Sequence, residues 1–380
     1  MFTKIIKTIK TLANLKSGLK LSKTVSFSTK DNLLTIVYQS ETTKVKTNLS
    51  CTSPVDGQYS IDCVDLFHIL PLLEKSKTHF LEFANQILTI TLDSGQRVVL
   101  KLNDDILEGS ESDIPDIDDT LGLPTKDLVR NLKVASKSTQ NPKDSYQKEF
   151  TTLCVQFNDN NCTLVSTDRY RVTKISLAKA IITQKLESQF HNHLIESKDL
   201  KNIISLLSKT KQEYTKLNFN RANRLLTLDI DNLNLTFLTG SYTYPDTNRI
   251  LPTQFLHSLE FNRLEFTQAL EALLPFCKSN DKFNNKINLN FDQNSILTLW
   301  TESKENAVNS LTVGFVNVFG TDIKPCSQAF NCQFLIDALQ SFDSESITYS
   351  SNSSDEGKRP ITITSQSQKS TLVLTSGLVN

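Results

Sequence analysis

Apolar and polar residues along this chain mostly alternate over short runs, with β-branched and aromatic side chains concentrated in them. Such runs at 34–38, 87–92, 97–102, 152–157, 226–230, 235–239, 287–291, 311–315, 361–364 and 372–374 predict strands, punctuated by Asn, Asp, Ser and Gly. Six longer segments instead carry apolar residues at helical spacing. Those at 64–75, 198–209 and 330–342 form one series and those at 4–16, 126–137 and 263–276 another, each recurring roughly every 130 residues. That period is far above the repeat of a stacked solenoid. The pattern therefore predicts a β-rich unit with two helices, copied three times, with domains at 1–121, 122–253 and 254–380. Pro115 and the surrounding acids predict an exposed, extended connection before the second copy, and the Ser- and Asn-rich stretch 341–357 reads as a loop.

Composition narrows the class. A chain of 380 residues exceeds one ordinary core, and no apolar run approaches a membrane span. Lys+Arg and Asp+Glu both number 41, so net charge is silent about partners. Its distribution is not: the first fifty residues hold nine Lys against Asp31 and Glu41, and Asp104 to Asp119 holds eight acids and no base. Seven cysteines, an odd number without a C-x-x-C pair, argue against a disulfide framework or a metal site and fit a reducing cytoplasm. The Lys-rich N-terminus reads as an amphipathic helix of the first copy; a targeting peptide would favour Arg and Ser or a longer apolar core.

On a helix, Lys126, Arg130, Lys133 and Lys137 fall within about 60° of one another, opposite Leu128, Val129, Leu132 and Ala135. Lys198 and Lys201 stand opposite Leu200, Ile203 and Leu207, and Lys4 and Lys7 opposite Ile5, Ile9 and Leu12. One such helix is commonly just a solvated surface helix. Several at repeat-equivalent positions predict a face that meets a phosphate backbone without reading bases. The third copy departs, with Glu265, Glu271 and Asp337 where bases would stand.

Catalytic chemistry is not signalled. Phosphate loops, Zn-binding H-E-x-x-H and nucleophile elbows are missing, and ten glycines leave little for a phosphate cradle. His191-Asn192-His193 spells nuclease letters without the spacing that a ββα-metal site needs, and Asp116, Asp118 and Asp119 read as solvated linker acids. Two stretches stand out instead: Ser166-Thr167-Asp168-Arg169-Tyr170-Arg171-Val172 and Tyr244-Pro245-Asp246-Thr247-Asn248-Arg249-Ile250-Leu251-Pro252. Each joins basic to apolar residues in a turn-prone context, which suits a groove for a partner's peptide: apolar floor, charged rim.

These stretches resemble, in order and rough spacing, the Ala-Thr-Asp-Gly-His-Arg-Leu and Phe/Tyr-Pro-Asp-x-x-Arg-Val-Leu-Pro segments of the bacterial DNA polymerase III beta subunit, the sliding-clamp family. The 114–119 run is similar to that family's acidic linker, and Phe330, Asn331, Phe334, Leu335, Asp337 and Leu339 to its Phe-Asn-x-x-Tyr-x-x-Asp-x-Leu helix. The resemblance implies an α+β fold of three repeated clamp domains, antiparallel sheets outside and two helices each inside, closed head-to-tail into a two-protomer ring. It implies a non-enzymatic processivity factor, without cofactor or metal, that encircles duplex DNA regardless of sequence. DNA polymerase and clamp loader would dock by short peptide motifs. The resemblance puts Thr167, Tyr170, Arg171, Val172, Pro245, Arg249, Ile250, Asn331, Phe334 and Leu374 in that groove. Lys4, Lys7, Lys126, Arg130, Lys133, Lys137, Lys198 and Lys201 would face DNA, and Leu273, Leu274 and Phe276 would help close the ring. The alternatives are a clamp-like peptide-docking scaffold that does not encircle DNA and a β-rich hydrolase. Two departures stand out: Arg169-Tyr170 replaces Gly-His, and the chain end lacks the family's Pro and Arg.

Overall fold

In the computed structural model, described residues are 2–13, 24–40, 42–51, 57–103, 116–143, 145, 147–158, 161–177, 180–184, 191–252, 254–255, 257–280, 285–291, 296–302, 308–320, 326–351, 360–365 and 370–374. One motif recurs through them: a strand, a helix, then three antiparallel strands. The first copy opens on helix α1 (Phe2–Ala13), followed by β1 (Thr24–Lys30), β2 (Leu33–Gln39) and β3 (Thr43–Ser50). The second is β4 (Gly57–Asp62), α2 (Cys63–Leu73), β5 (His79–Ala84), β6 (Ile87–Leu92) and β7 (Arg97–Lys101). Next come β8 (Asp119–Pro124), α3 (Thr125–Ser136), β9 (Thr152–Asn158), β10 (Asn161–Thr167) and β11 (Arg171–Ser176), extended by β12 (Ile181–Gln184). Then follow β13 (His191–Glu196), α4 (Ser197–Leu207), β14 (Tyr214–Asn220), β15 (Leu225–Ile230) and β16 (Leu233–Leu238). The fifth is β17 (His257–Asn262), α5 (Arg263–Asn280), β18 (Lys286–Phe291), β19 (Ile296–Glu302) and β20 (Val308–Gly320). The last is β21 (Cys326–Asn331), α6 (Cys332–Leu339), β22 (Ser346–Ser351), β23 (Ile361–Thr364) and β24 (Ser370–Leu374).

The helices form because each buries one stripe. Ile5, Ile6, Ile9 and Leu12 of α1 are buried; so are Leu128, Leu132 and Ala135 of α3, and Leu200, Ile203 and Leu207 of α4. The tight hairpins turn on left-handed residues, Asp31-Asn32 and Asn85-Gln86, the pair of positive φ angles that a two-residue connection between twisted strands demands.

The chain divides into two compact units. The first comprises Met1–Val129, Ile181–Glu187 and Lys198–Ser241. Its nine-stranded sheet runs β12-β8-β14-β15-β16-β3-β2-β1-β4, with a separate three-stranded sheet β5-β6-β7. The second comprises Arg130–Ala180, Ser188–Ser197 and Tyr242–Asn380. Its sheet runs β13-β9-β10-β11-β24-β23-β22-β17-β20-β19-β18-β21. Each sheet is continuous because the last strand of one motif pairs with the last strand of another: β3 with β16 in the first unit, β11 with β24 in the second. In the second unit Phe261, Phe266, Leu289, Leu335 and Tyr349 centre the core under α5 and α6.

Four expectations need correction. The Ser-rich segment after 341 is not all loop, because Ser346–Ser351 is β22, with Ile347 and Tyr349 turned into the core. The acids at 118 and 119 are not simply solvated: Asp119 is fully buried at the head of β8, and Asp118 Oδ2 accepts from the Arg221 amide at 2.7 Å. Leu273 is buried in its own unit's core, with Leu274 packed against it, while Phe276 remains 43% exposed. The helix expected at 330–342 is shorter, since Asn331 caps it. Residues 104–115, the rest of the acidic run, lie outside the described residues.

Candidate functional site

The second unit brings the two singled-out stretches together. Antiparallel pairing of β10 with β11 leaves a tight turn at Asp168–Tyr170, in which Arg169 adopts φ +79°. The turn is held by Asp168 Oδ1, which accepts from the Tyr170 and Arg171 amides at 3.1 and 3.0 Å. Beneath it Val172 packs with Cys154, Val165, Leu194 and Tyr244, and the Tyr244 hydroxyl donates to the Val165 carbonyl at 3.3 Å. Tyr244 thus anchors the second stretch to the first. Pro245 follows half-buried; Asp246 caps a short 3-10 turn, Thr247–Arg249, that leaves Arg249 and Ile250 exposed.

Arg171 is the hub. Although charged, it is buried, and each of its three guanidinium nitrogens has an acceptor. Nε donates to Asp168 Oδ2 at 2.9 Å, Nη1 to Asp337 Oδ2 at 2.8 Å, and Nη2 to the Lys137 carbonyl. The guanidinium lies 4.1 Å from the Phe334 ring centroid. A buried cation needs such partners, since its hydration is lost. Arg171 therefore ties β11 to α6 and to the end of α3. Burial pushes the Asp168 carboxyl above the usual range, opposed chiefly by the Arg171 charge.

The other expected groove residues divide by role. Tyr170 is exposed, with its ring 6.3 Å from that of Phe334, itself half-buried against the core. Thr167 is buried and accepts from the Arg169 amide at 3.2 Å. Asn331 caps α6 by accepting from the Phe334 amide at 3.2 Å, so it orients Phe334. Leu374 pairs through its backbone with Arg171, and its side chain lies outside the described residues.

The eight expected phosphate-facing cations also differ among themselves. In the first unit Lys4 pairs with Asp231 and Lys7 with Glu74 at 2.8 Å; in the second Arg130 pairs with Asp343. Lys137 is half-buried, its ammonium donating to the Asp337 carbonyl at 3.3 Å, and burial pulls its pKa down. Lys126, Lys133 and Lys201 are exposed, and Lys198 is partly buried. His193, of the nuclease-like triplet, is buried edge-on against Phe157.

Sequence reasoning missed three partners. Asp337 stands in the sequence as a helix acid and a residue of the family-like helix, and nothing local links it to Arg171. Phe150 receives the Arg169 guanidinium 4.8 Å from its ring centroid, and Asn248 accepts from Lys174 at 3.0 Å. No spacing signal marks either contact.

The paired-motif, all-antiparallel plan defines the class by fold. It matches the DNA polymerase III beta chain of Streptococcus pneumoniae with TM-score 0.81, at 17% identity over 99% of this chain and 97% of that one. It also matches the Helicobacter pylori beta clamp bound to DNA ligase peptide (TM-score 0.79, 17% identity, 99% and 97% covered). The Pseudomonas aeruginosa subunit beta gives TM-score 0.80 at 14% identity, 99% and 98% covered. The chain has the sliding-clamp fold. In sequence it is similar to the beta sliding clamp of Staphylococcus epidermidis, 25% identical over 193 residues, 51% of this chain and 47% of that protein. It thus spans about half the length of the curated relatives it matches. No family model matches the chain.

Proposed function

We propose that this chain is a DNA sliding clamp: two copies join head-to-tail, enclose duplex DNA without reading its sequence, and hold a polymerase or clamp loader by a short peptide. The three copies of the fold are read as 1–121, 122–253 and 254–380. The work is topological and needs no catalysis, cofactor or metal, and its setting is the cytoplasm. Among the described residues no helix is long and apolar enough to cross a membrane.

One observation carries the reading. In the first unit β3 lies between β2 and β16, and in the second β11 lies between β10 and β24. The equivalent stretch of β20, Val308 to Gly314, has β19 on one side and, among the described residues, no strand on the other. In the first unit β7 likewise has only β6. An open edge at each end of the repeat calls for a strand of another copy, since unpaired edges are otherwise sites of aggregation. The ladders support one register for this pairing. Lys44 sits across from Gln39 and Thr236, and Val172 across from Thr167 and Val373. Val308 sits across from Glu302, and Val99 across from Thr89 just as Thr236 is across from Thr227. Counting along, Val308 of one copy meets Val99 of the next. These valines are 62% and 61% exposed, apolar surface that pairing between copies would cover. Native mass by sedimentation or light scattering tests the pairing: twice the chain mass at micromolar concentration is expected, and a strict monomer refutes it.

A further inference from the structure

The charges around the Tyr170 turn do not cancel, and the imbalance points to what the surface takes. Asp168 and Asp337 are both closed onto Arg171, and Asp246 onto Arg249 at 3.1 Å. Glu149 neighbours Phe150, yet its charge bears on the Tyr242 hydroxyl, whose pKa it helps raise after burial and Glu196. Among the described residues, two cations here have neutral partners only: Arg169 over the Phe150 ring, and Lys174 on the Asn248 amide oxygen. They stand on the turn and strand that carry Tyr170 and Val172, and Asn248 belongs to the turn that exposes Ile250. Exposed apolar groups, Tyr170 at 41% and Ile250 at 44%, thus share one surface with cations that no carboxylate of the described residues meets.

We infer that the peptide this surface selects carries acidic residues beside its apolar anchor, read by Arg169 and Lys174. The inference rests on the reading of the surface as a peptide groove, and the occupant follows from charge complementarity. An anchor alone satisfies Tyr170 and Ile250; a carboxylate beside it gives each cation a charge-assisted hydrogen bond in place of a ring or an amide. Arg169 fits this role. It holds a left-handed backbone that a side chain adopts at some cost, so the turn aims a guanidinium where the resembled family has glycine.

Fluorescence anisotropy with two labelled peptides tests this, both ending in Leu-Phe, one preceded by two aspartates and the other by two asparagines. The aspartate peptide should bind the full chain about five- to tenfold tighter at low salt. That ratio should approach one in an R169Q/K174Q variant, and also in the unmodified chain at high salt. Equal binding of both peptides to the unmodified chain overturns the charge reading alone. Binding of neither overturns the groove assignment on which it rests. A ratio that survives R169Q/K174Q refutes the assignment to these two cations.

Discussion

At the scale of single residues, the second unit uses charge as structure. Arg171 spends its donors on Asp168, Asp337 and the Lys137 carbonyl, so removing it strands two buried or half-buried carboxylates. Arg171→Met should therefore cost about 3–5 kcal/mol in denaturant unfolding, whereas Arg249→Met, at an exposed ion pair, should cost under about 1 kcal/mol. Similar losses from both would contradict the hub. Val172 was legible in sequence because an apolar residue beside turn formers reports burial. The role of Arg171 was not, since Asp337 lies 166 positions away. A second charge pair gives a pH signature. The Lys4 ammonium, donating to Asp231, holds that carboxyl below its usual range. A depressed carboxylate pKa means stability present above the unfolded value near about 3.9 and lost as pH falls through the folded one. Both groups are partly exposed, so the effect is below about 1 kcal/mol. Asp231→Asn should lower the midpoint of thermal unfolding slightly at pH 7 and leave it unchanged near pH 2; a constant difference at both would refute the linkage.

At the scale of elements, helical periodicity made the six α-helices of the described residues legible, because each buries a stripe. Strand β22 escaped because its serines outnumber its anchors, although Ile347 and Tyr349 alternate as a half-buried strand requires. The lysine faces were legible as faces but not as charges. Lys4, Lys7 and Arg130 meet carboxylates, while Lys126, Lys133 and Lys201 project from α3 and α4 as exposed groups. If α3 and α4 face DNA, the exposed lysines carry the salt dependence. Changing Lys126, Lys133 and Lys201 to Gln should reduce the slope of log affinity against log salt by up to about 0.9 per lysine. An equal reduction from Lys4→Gln and Lys7→Gln, both already paired, would contradict that division.

At the scale of the whole molecule, the period of the helices makes repetition legible, and among the described residues the helix-plus-three-strand motif recurs six times. Which strands join copies could not be read, because a ladder such as β11 with β24 links positions some two hundred residues apart. Those ladders matter most, since among the described residues they leave β7 and the Val308–Gly314 stretch of β20 with one neighbour each, as the proposed seam requires. Locking the seam tests it most directly. In a V99C/V308C variant, oxidation should join copies covalently, because directly opposed side chains lie close enough for a bridge. If oxidation follows mixing with circular duplex DNA, the protein should stay on the circle through a high-salt wash and leave when the DNA is cut to a linear form. Cross-linking before DNA is added should give no retention. Equal retention on linear and circular DNA, or no cross-link between Cys-substituted positions 99 and 308, would contradict the closed ring.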